Sequence, residues 1–312
     1  MKTRNSIRIG TRGSALALAQ TYEVEALLRR GHPDLGIELV TIRTGGDKNQ
    51  TSPIAQIGGS NVFVREIEKA LLQKEIDMAV HSLKDLPSAL PPGLCIAGVV
   101  PRADPRDVFI SSSGIRLEAL EPGARVGTSS LRRGAQMRRY RPDLHIVPMR
   151  GSVETRLRKL DSGECEALIL AAAGLLRLDL EERITQYLPI KDFVPSGGQG
   201  IIAMELRCDD KELMELAGAV GDRQTLAQSL GEREFLHVLQ GGCHTPVGCI
   251  SDTTDTGEYR ITGFVADLEG KRCIEYRVVR SQGKEREAGR LCAEAILKQG
   301  GREILEAVEN GR

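Results

Sequence analysis

The sequence predicts an α/β fold, with two similar lobes, each built on a largely parallel sheet, followed by a smaller α+β domain. Three observations predict it. The order strand, capped helix, strand, helix, strand occurs twice, with QKEIDMAVHS and SGECEALILA in matching places. Residues 87–105, with five prolines, and the glycine-rich residues 195–200 mark two crossings between the lobes. Past residue 222 the texture changes to alternating strands with closing helices.

Each element follows from local pattern. Residues 6–10 alternate Ile7 and Ile9 as a strand, and 11–14 form a tight turn. Ser14 caps a helix running to Arg30, with Leu18, Tyr22 and Ala26 on one face. A strand at 37–43 precedes a polar, glycine-rich stretch at 45–60. Phe63, Ile67, Ala70 and Leu71 recur at helical spacing within 62–73. A buried strand at 76–80 then ends in His81-Ser82-Leu83-Lys84-Asp85. The second run has a strand at 125–128, a cap at Ser129-Ser130, a helix at 131–140 and a strand at 144–149. It closes with a helix at 153–160 and a strand at 167–171. After the second crossing come a strand at 201–206 and a helix at 224–239. The loop Gly241-Gly242-Cys243-His244-Thr245-Pro246 follows, then strands near 259–266 and 272–279 and helices at 285–298 and 303–309. The expected domains are 1–99 with 200–221, 100–199, and 222–312.

Composition narrows the function. In 312 residues, basic and acidic side chains balance at 43 each, so no global basic field attracts nucleic acid. Five Phe, five Tyr and no Trp leave little for base stacking. Apolar runs such as 167–176 are too short to span a bilayer, and MKTRNSIRIG has no apolar core of a secretory signal. Seven scattered cysteines with no export signal argue for free thiols in a reducing cytoplasm. No His/Cys cluster has zinc-ligand spacing, so no metal is expected.

Arginine is the main chemical signal. Residues 101–160 hold thirteen basic side chains, twelve of them Arg, against six acidic ones. Arg12, Arg132, Arg133 and Arg150 fall at or just past the carboxyl ends of expected strands, where open α/β sheets bind ligands. Thr128, Ser129 and Ser130 add hydroxyl and N–H donors at a helix N-terminus. The inferred ligand is a polycarboxylate. Arg138, Arg139, Arg141 and Arg158 read instead as solvated helix faces. Lys84-Asp85 follows a buried strand and can steer a proton or stabilise a cation. Cys243 sits in a glycine-flanked loop where a thiol can be reached, although an isolated cysteine is more often an inert packed thiol. Gly197-Gly198-Gln199-Gly200 reads as hinge geometry rather than a phosphate cradle.

Seven segments, in order, resemble the porphobilinogen deaminase (hydroxymethylbilane synthase) family over nearly the whole chain: IRIGTRGSALALAQ, AVHSLKDLP, DPRDVFIS, VGTSSLRRGAQ, RGSVETRLRKLDSGE, GGQGIIAMELR and LQGGCHTPVG. The resemblance implies two lobes like class II periplasmic binding proteins around a hinged cleft, plus the third domain. It implies stepwise condensation of four porphobilinogen molecules into hydroxymethylbilane, with release of ammonia. The implied primer is a dipyrromethane cofactor joined by a thioether to Cys243. Asp85 falls on the catalytic aspartate. Lys84, Arg132, Arg133, Ser130, Thr128 and Ser82, with Asp85, match cofactor contacts. Arg12, Ser14, Arg150, Arg156, Arg177 and Gln199 match substrate contacts. Gln56 and Ser60 stand where the family often has lysine, Asn61 where glycine is common, and Ser152 where asparagine is frequent. A monomer acting on a small molecule in the cytoplasm is expected, without nucleic acid or membrane partners. Two other readings stay open: a two-lobed polycarboxylate binder or sensor without catalysis, and a nucleic-acid module using the basic stretch.

Overall fold

The computed structural model describes residues 5–43, 64–241 and 245–310. In chain order the first elements are β1 (Ser6–Thr11), α1 (Ala15–Gly31), β2 (Gly36–Thr41), α2 (Arg65–Leu72), β3 (Met78–Ser82), β4 (Leu94–Val99) and β5 (Asp107–Ser111). Next come β6 (Arg125–Gly127), α3 (Leu131–Tyr140), β7 (His145–Val147), α4 (Val153–Asp161), β8 (Ala167–Ala171), α5 (Ala172–Leu176) and β9 (Gln186–Tyr187). The chain continues with β10 (Ile202–Arg207), α6 (Lys211–Val220), α7 (Arg223–Val238), β11 (Val247–Thr253), β12 (Tyr259–Ala266) and β13 (Cys273–Arg280), and closes with α8 (Glu285–Ile296) and α9 (Arg302–Asn310). Two compact units result. One takes the described residues up to Ala103 together with Gly200–Leu226; the other takes Asp104–Gln199 and the described residues from Ala227 on.

The first unit holds a five-stranded sheet in the order β2-β1-β3-β10-β4, and the second a sheet in the order β7-β6-β8-β5-β9. The two orders are the same scheme. β1 runs parallel to β2 and β3, and β6 parallel to β7 and β8. The strand that follows each crossing breaks the expected parallel pattern. β10 is antiparallel to β3 and β4, and β5 is antiparallel to β8 and β9. Both sheets are therefore mixed, because an apolar run records burial but not strand direction. The stretch expected only as a crossing also contains β4, a strand set between prolines.

Alternation puts apolar side chains on both faces of the first sheet. Ile7, Ile9, Met78, Val80 and Met204 meet Val24 and Leu28 of α1, while Ala79 meets Ile67 and Leu71 of α2. The buried stripe of α1 is Gln20, Thr21, Val24 and Leu28, not the expected Leu18, Tyr22 and Ala26. Tyr22 is 55% exposed. Thr21 is accommodated inside because its hydroxyl donates to Thr11 Oγ1 at 2.8 Å. The expected Phe63 lies outside the described residues.

In the second unit, Leu168 and Leu170 pack on α4, and Phe109 and Ile169 pack on Met137 of α3. The third sheet is the antiparallel meander β11-β12-β13. Tyr259, Ile261 and Val265 of β12 face α7 and α8, and Phe264 and Ala266 turn to Ala135 and Val194. Arg138 donates from Nη1 to Leu268 O at 2.9 Å, joining α3 to the turn between β12 and β13. Among the described residues, no helix is long and apolar enough to cross a membrane.

Candidate active site

In the first unit, β1 and β3 deliver their last residues to the carboxyl end of the sheet. Arg12, half-buried, follows β1, and Ser14 caps α1 by accepting from Ala17 N at 3.3 Å. β3 ends at Ser82 and passes into a single 3₁₀ turn, Leu83–Asp85. That turn is pinned from beneath. Leu83 N donates to Ile201 O at 2.9 Å, and Leu83 and Leu86 are buried with Val99 and Ile201. Lys84 and Asp85 are left half-buried on the turn. Gln20 fixes Ser82 from the other face, donating from Nε2 to Ser82 Oγ at 2.8 Å.

The second unit centres on a residue that the sequence reading counted only as an acid: Asp107, the first residue of β5, fully buried beside Ala171 at the end of β8. Arg132 donates from Nη1 to Asp107 Oδ2 at 2.7 Å and to Val194 O at 2.6 Å. Arg133 donates from Nη2 and Nε to Asp107 Oδ1 at 2.8 and 3.0 Å. Gln199 Nε2 donates to the same oxygen at 2.9 Å and to Pro105 O at 2.7 Å. Arg132 and Arg133 are buried, 4% and 6% exposed. Burial alone would raise the carboxyl of Asp107, but the charges and hydrogen bonds of Arg132 and Arg133 outweigh it and hold it well below the carboxylate range. Burial lowers Arg132, and Asp107 partly opposes that. Two guanidiniums against one carboxylate leave an excess positive charge at the first turn of α3. Ser130 caps that turn, accepting from Arg133 N at 3.4 Å, and Thr128 Oγ1 accepts from Ser130 N at 3.2 Å. This donor set suits a ligand bearing carboxylates.

Arg150 follows β7, Arg156 lies on α4 and donates from Nε to Gly151 O at 2.9 Å, and Arg177 closes α5; all three are half-buried. Of the arginines expected to be solvated, Arg139 and Arg158 are exposed, whereas Arg141 donates to Leu117 O and Leu120 O at 2.7 and 2.8 Å. The segment expected as hinge geometry is hydrogen-bonded up to Gln199. Val194 N donates to Gln136 Oε1 at 2.6 Å, and Gly198 N donates to the buried carboxylate of Glu232 at 2.7 Å. At Gly200, φ is +86° and a Cβ would lie 2.5 Å from Ala103 O, so glycine is required where the two crossings run side by side. Cys243, His244, Asp47 and Gln56–Asn61 lie outside the described residues. Among the described residues, no three His, Cys, Asp or Glu side chains gather to hold a metal.

Asp107, Gln136, Gln20 and Glu232 are the residues the sequence reading missed. Only Asp107 carried a signal: a charged residue heading the wholly apolar run Val108-Phe109-Ile110.

Among solved structures, the periplasmic VFT2 domain of Bordetella pertussis BvgS is similar over 70% of this chain and 87% of that one, at 16% identity and a TM-score of 0.42. Porphobilinogen deaminase of Syntrophomonas wolfei is 47% identical over 96% of this chain and 98% of its own. That of Syntrophobacter fumaroxidans is 45% identical over 98% and 99%. The family model "Porphobilinogen deaminase, dipyromethane cofactor binding domain" matches residues 7–215, and "Porphobilinogen deaminase, C-terminal domain" matches 226–298. With two family models covering most of its length and relatives this similar from end to end, the chain belongs to the porphobilinogen deaminase family.

Proposed function

We propose that this enzyme joins four porphobilinogen molecules into linear hydroxymethylbilane, releasing ammonia at each step, in tetrapyrrole synthesis. The observation that carries this reading is the paired family match over 7–215 and 226–298. A non-catalytic binder or a nucleic-acid module is not favoured by it. The dipyrromethane cofactor, bound by a thioether to Cys243, supplies the pyrrole carbon from which the chain grows.

The protein's own part is charge and position. Each added ring brings an acetate and a propionate, so the product is a dense polycarboxylate. The excess positive charge of Arg132 and Arg133, with Thr128, Ser130, Ser82 and Lys84, holds cofactor carboxylates. Arg12, Ser14, Arg150, Arg156 and Arg177 hold those of the substrate. Gln199, whose amide is committed to Asp107 and Pro105 O, serves the substrate through that network. Asp85 offers its carboxylate to cationic pyrroles and accepts or returns the proton at its oxygens as the amino group leaves.

The organisation we propose is three domains, 1–99 with 200–221, 100–199 and 222–312. Separate sheets inside the second unit, each with a main core cluster of its own, support the last division. A cytoplasmic monomer, without nucleic acid or membrane partners, is part of the same reading. The test is Asp85→Asn, which keeps shape and removes charge. Turnover should fall at least about 10²-fold with the cofactor still attached. Near-normal turnover would remove Asp85 from the chemistry.

A further inference from the structure

The α2 side of the first sheet contains three ionisable side chains that the chemistry above does not use. His81 on β3 lies opposite Ala203 of β10, and Glu205 lies opposite Ala79, so the two form a diagonal pair on one face. His81 Nε2 is 3.0 Å from Glu205 Oε2, with the side chains 5% and 0% exposed. The approach is close but poorly aimed. Neither Glu205 oxygen, nor His81 Nε2, nor Oε1 of the buried Glu68 on α2 makes a hydrogen bond. Apolar packing divides around this group, with one cluster at Ile67 and Leu71 and the other at Leu83 and Ile201.

Two buried carboxylates and one imidazole cannot all sit there ionised without leaving a net buried charge, so the group is neutral only when one carboxyl keeps its proton. Burial, and then the charge of Glu205, push Glu68 up to about 7, with His81 and Arg65 opposing. Glu66 of α2 stands beside Arg65, and Cys95 of β4 also feels the charge of Glu205. The group lies on the seam between two strands. β3 leads directly into the Asp85 turn, and β10 holds that turn through the pairing Ile202–Ser82.

We propose that Glu68, His81 and Glu205 form a proton-holding triad that positions the Asp85 turn from beneath. This rests on the catalytic role assigned to Asp85. His81 touches no substrate and is a positioning residue. With that proton in place the seam is neutral and the turn is held. Loss of that proton sets two carboxylates against one imidazole, loosens β3 against β10 and misplaces Asp85. Turnover then falls while the arginines still bind substrate.

The test is kcat and KM of the holoenzyme from about pH 6 to about pH 9 for the wild type, Glu68→Gln and His81→Gln, with intact mass recording the adduct. In the wild type, kcat should fall through an ionisation at about pH 7 with KM flat. Glu68→Gln, permanently neutral, should lose that ionisation and keep kcat within about twofold across the range. His81→Gln should lower kcat about tenfold with KM within about twofold. Superimposed wild-type and Glu68→Gln profiles, or effects on KM alone, overturn the triad. Infrared spectra of the wild type supply a second readout should either variant misfold. A buried protonated carboxyl should be present at about pH 6 and gone by about pH 9, and its absence at both overturns the triad. Missing adduct in the wild type defeats the functional reading instead, so the two failures are distinct.

Discussion

Both five-stranded sheets accept one antiparallel strand from a crossing, and both of those strands bear a fully buried carboxylate: Asp107 on β5 and Glu205 on β10. Their surroundings differ. Asp107 receives two guanidiniums and an amide, every contact at hydrogen-bond distance. Glu205 receives one imidazole, off line, and a second carboxyl nearby. The first acid is locked in its charged form and anchors α3 to the crossing. The second adds the effect of its charge to that of burial at Glu68, whose carboxyl is pushed up to about 7. Depth of burial is the same in both; what differs is the number of cations at hydrogen-bond distance, and only Asp107 has enough to anchor a network.

Breaking the anchored acid should have the largest effect. Asp107→Asn leaves two buried guanidiniums without a counter-charge and should cost about 3–5 kcal/mol in urea unfolding. A loss under about 1 kcal/mol would mean the network is not the anchor described. Arg132→Leu leaves Asp107 with Arg133 and Gln199. It should cost about 1.5–3 kcal/mol, with cofactor attachment failing while the fold survives. Normal stability and a full adduct would remove Arg132 from both roles.

pH should separate Asp107 from Glu68, the neighbour of Glu205, by sign. Asp107 is depressed, so its contribution is complete above the ordinary carboxylate range near about 3.9 and disappears as pH falls through the lowered value. The stability gap between wild type and Asp107→Asn should therefore be constant above about pH 5 and narrow in acid. Glu68 is raised from 4.5 to about 7, so it costs nothing below 4.5 and increasingly destabilises as pH rises through that interval. Glu68→Gln should gain up to about 2–3 kcal/mol on the wild type at about pH 8 and nothing near about pH 4. Equal gaps at both pH values would contradict the assignment.

The smallest effect concerns a cap. Ser152 accepts from Thr155 N at 3.2 Å as the N-cap of α4. Asparagine, the residue expected there from the resemblance, caps equally well. Ser152→Asn should stay within a few tenths of a kcal/mol, and Ser152→Ala should cost about 1 kcal/mol by thermal melting.

Local signals were legible in the sequence, and long-range partners were not. The bounds of α3, β8 and β12 and the caps Ser14 and Ser130 follow from period and capping chemistry within a few residues. The buried face of α1 does not, because LALAQ is apolar on several faces and the choice falls to Thr11 and Ser82, which shelter Thr21 and Gln20. Strand direction at β5 and β10 is set by topology. The arginines at the strand ends were legible as anion binders, yet Asp107 stands 25 residues from Arg132 and 92 from Gln199, pairings that no local pattern records.

The covalent anchor decides the account most directly. Intact mass of the purified protein should show one adduct with the mass of two pyrrole rings, stable to denaturation and mapping to the peptide that contains Cys243. Cys243→Ser should lose adduct and activity together. Cys249→Ser should keep both, since Cys249 is a fully buried thiol on β11. A wild-type protein that is unmodified and fully active would contradict the account.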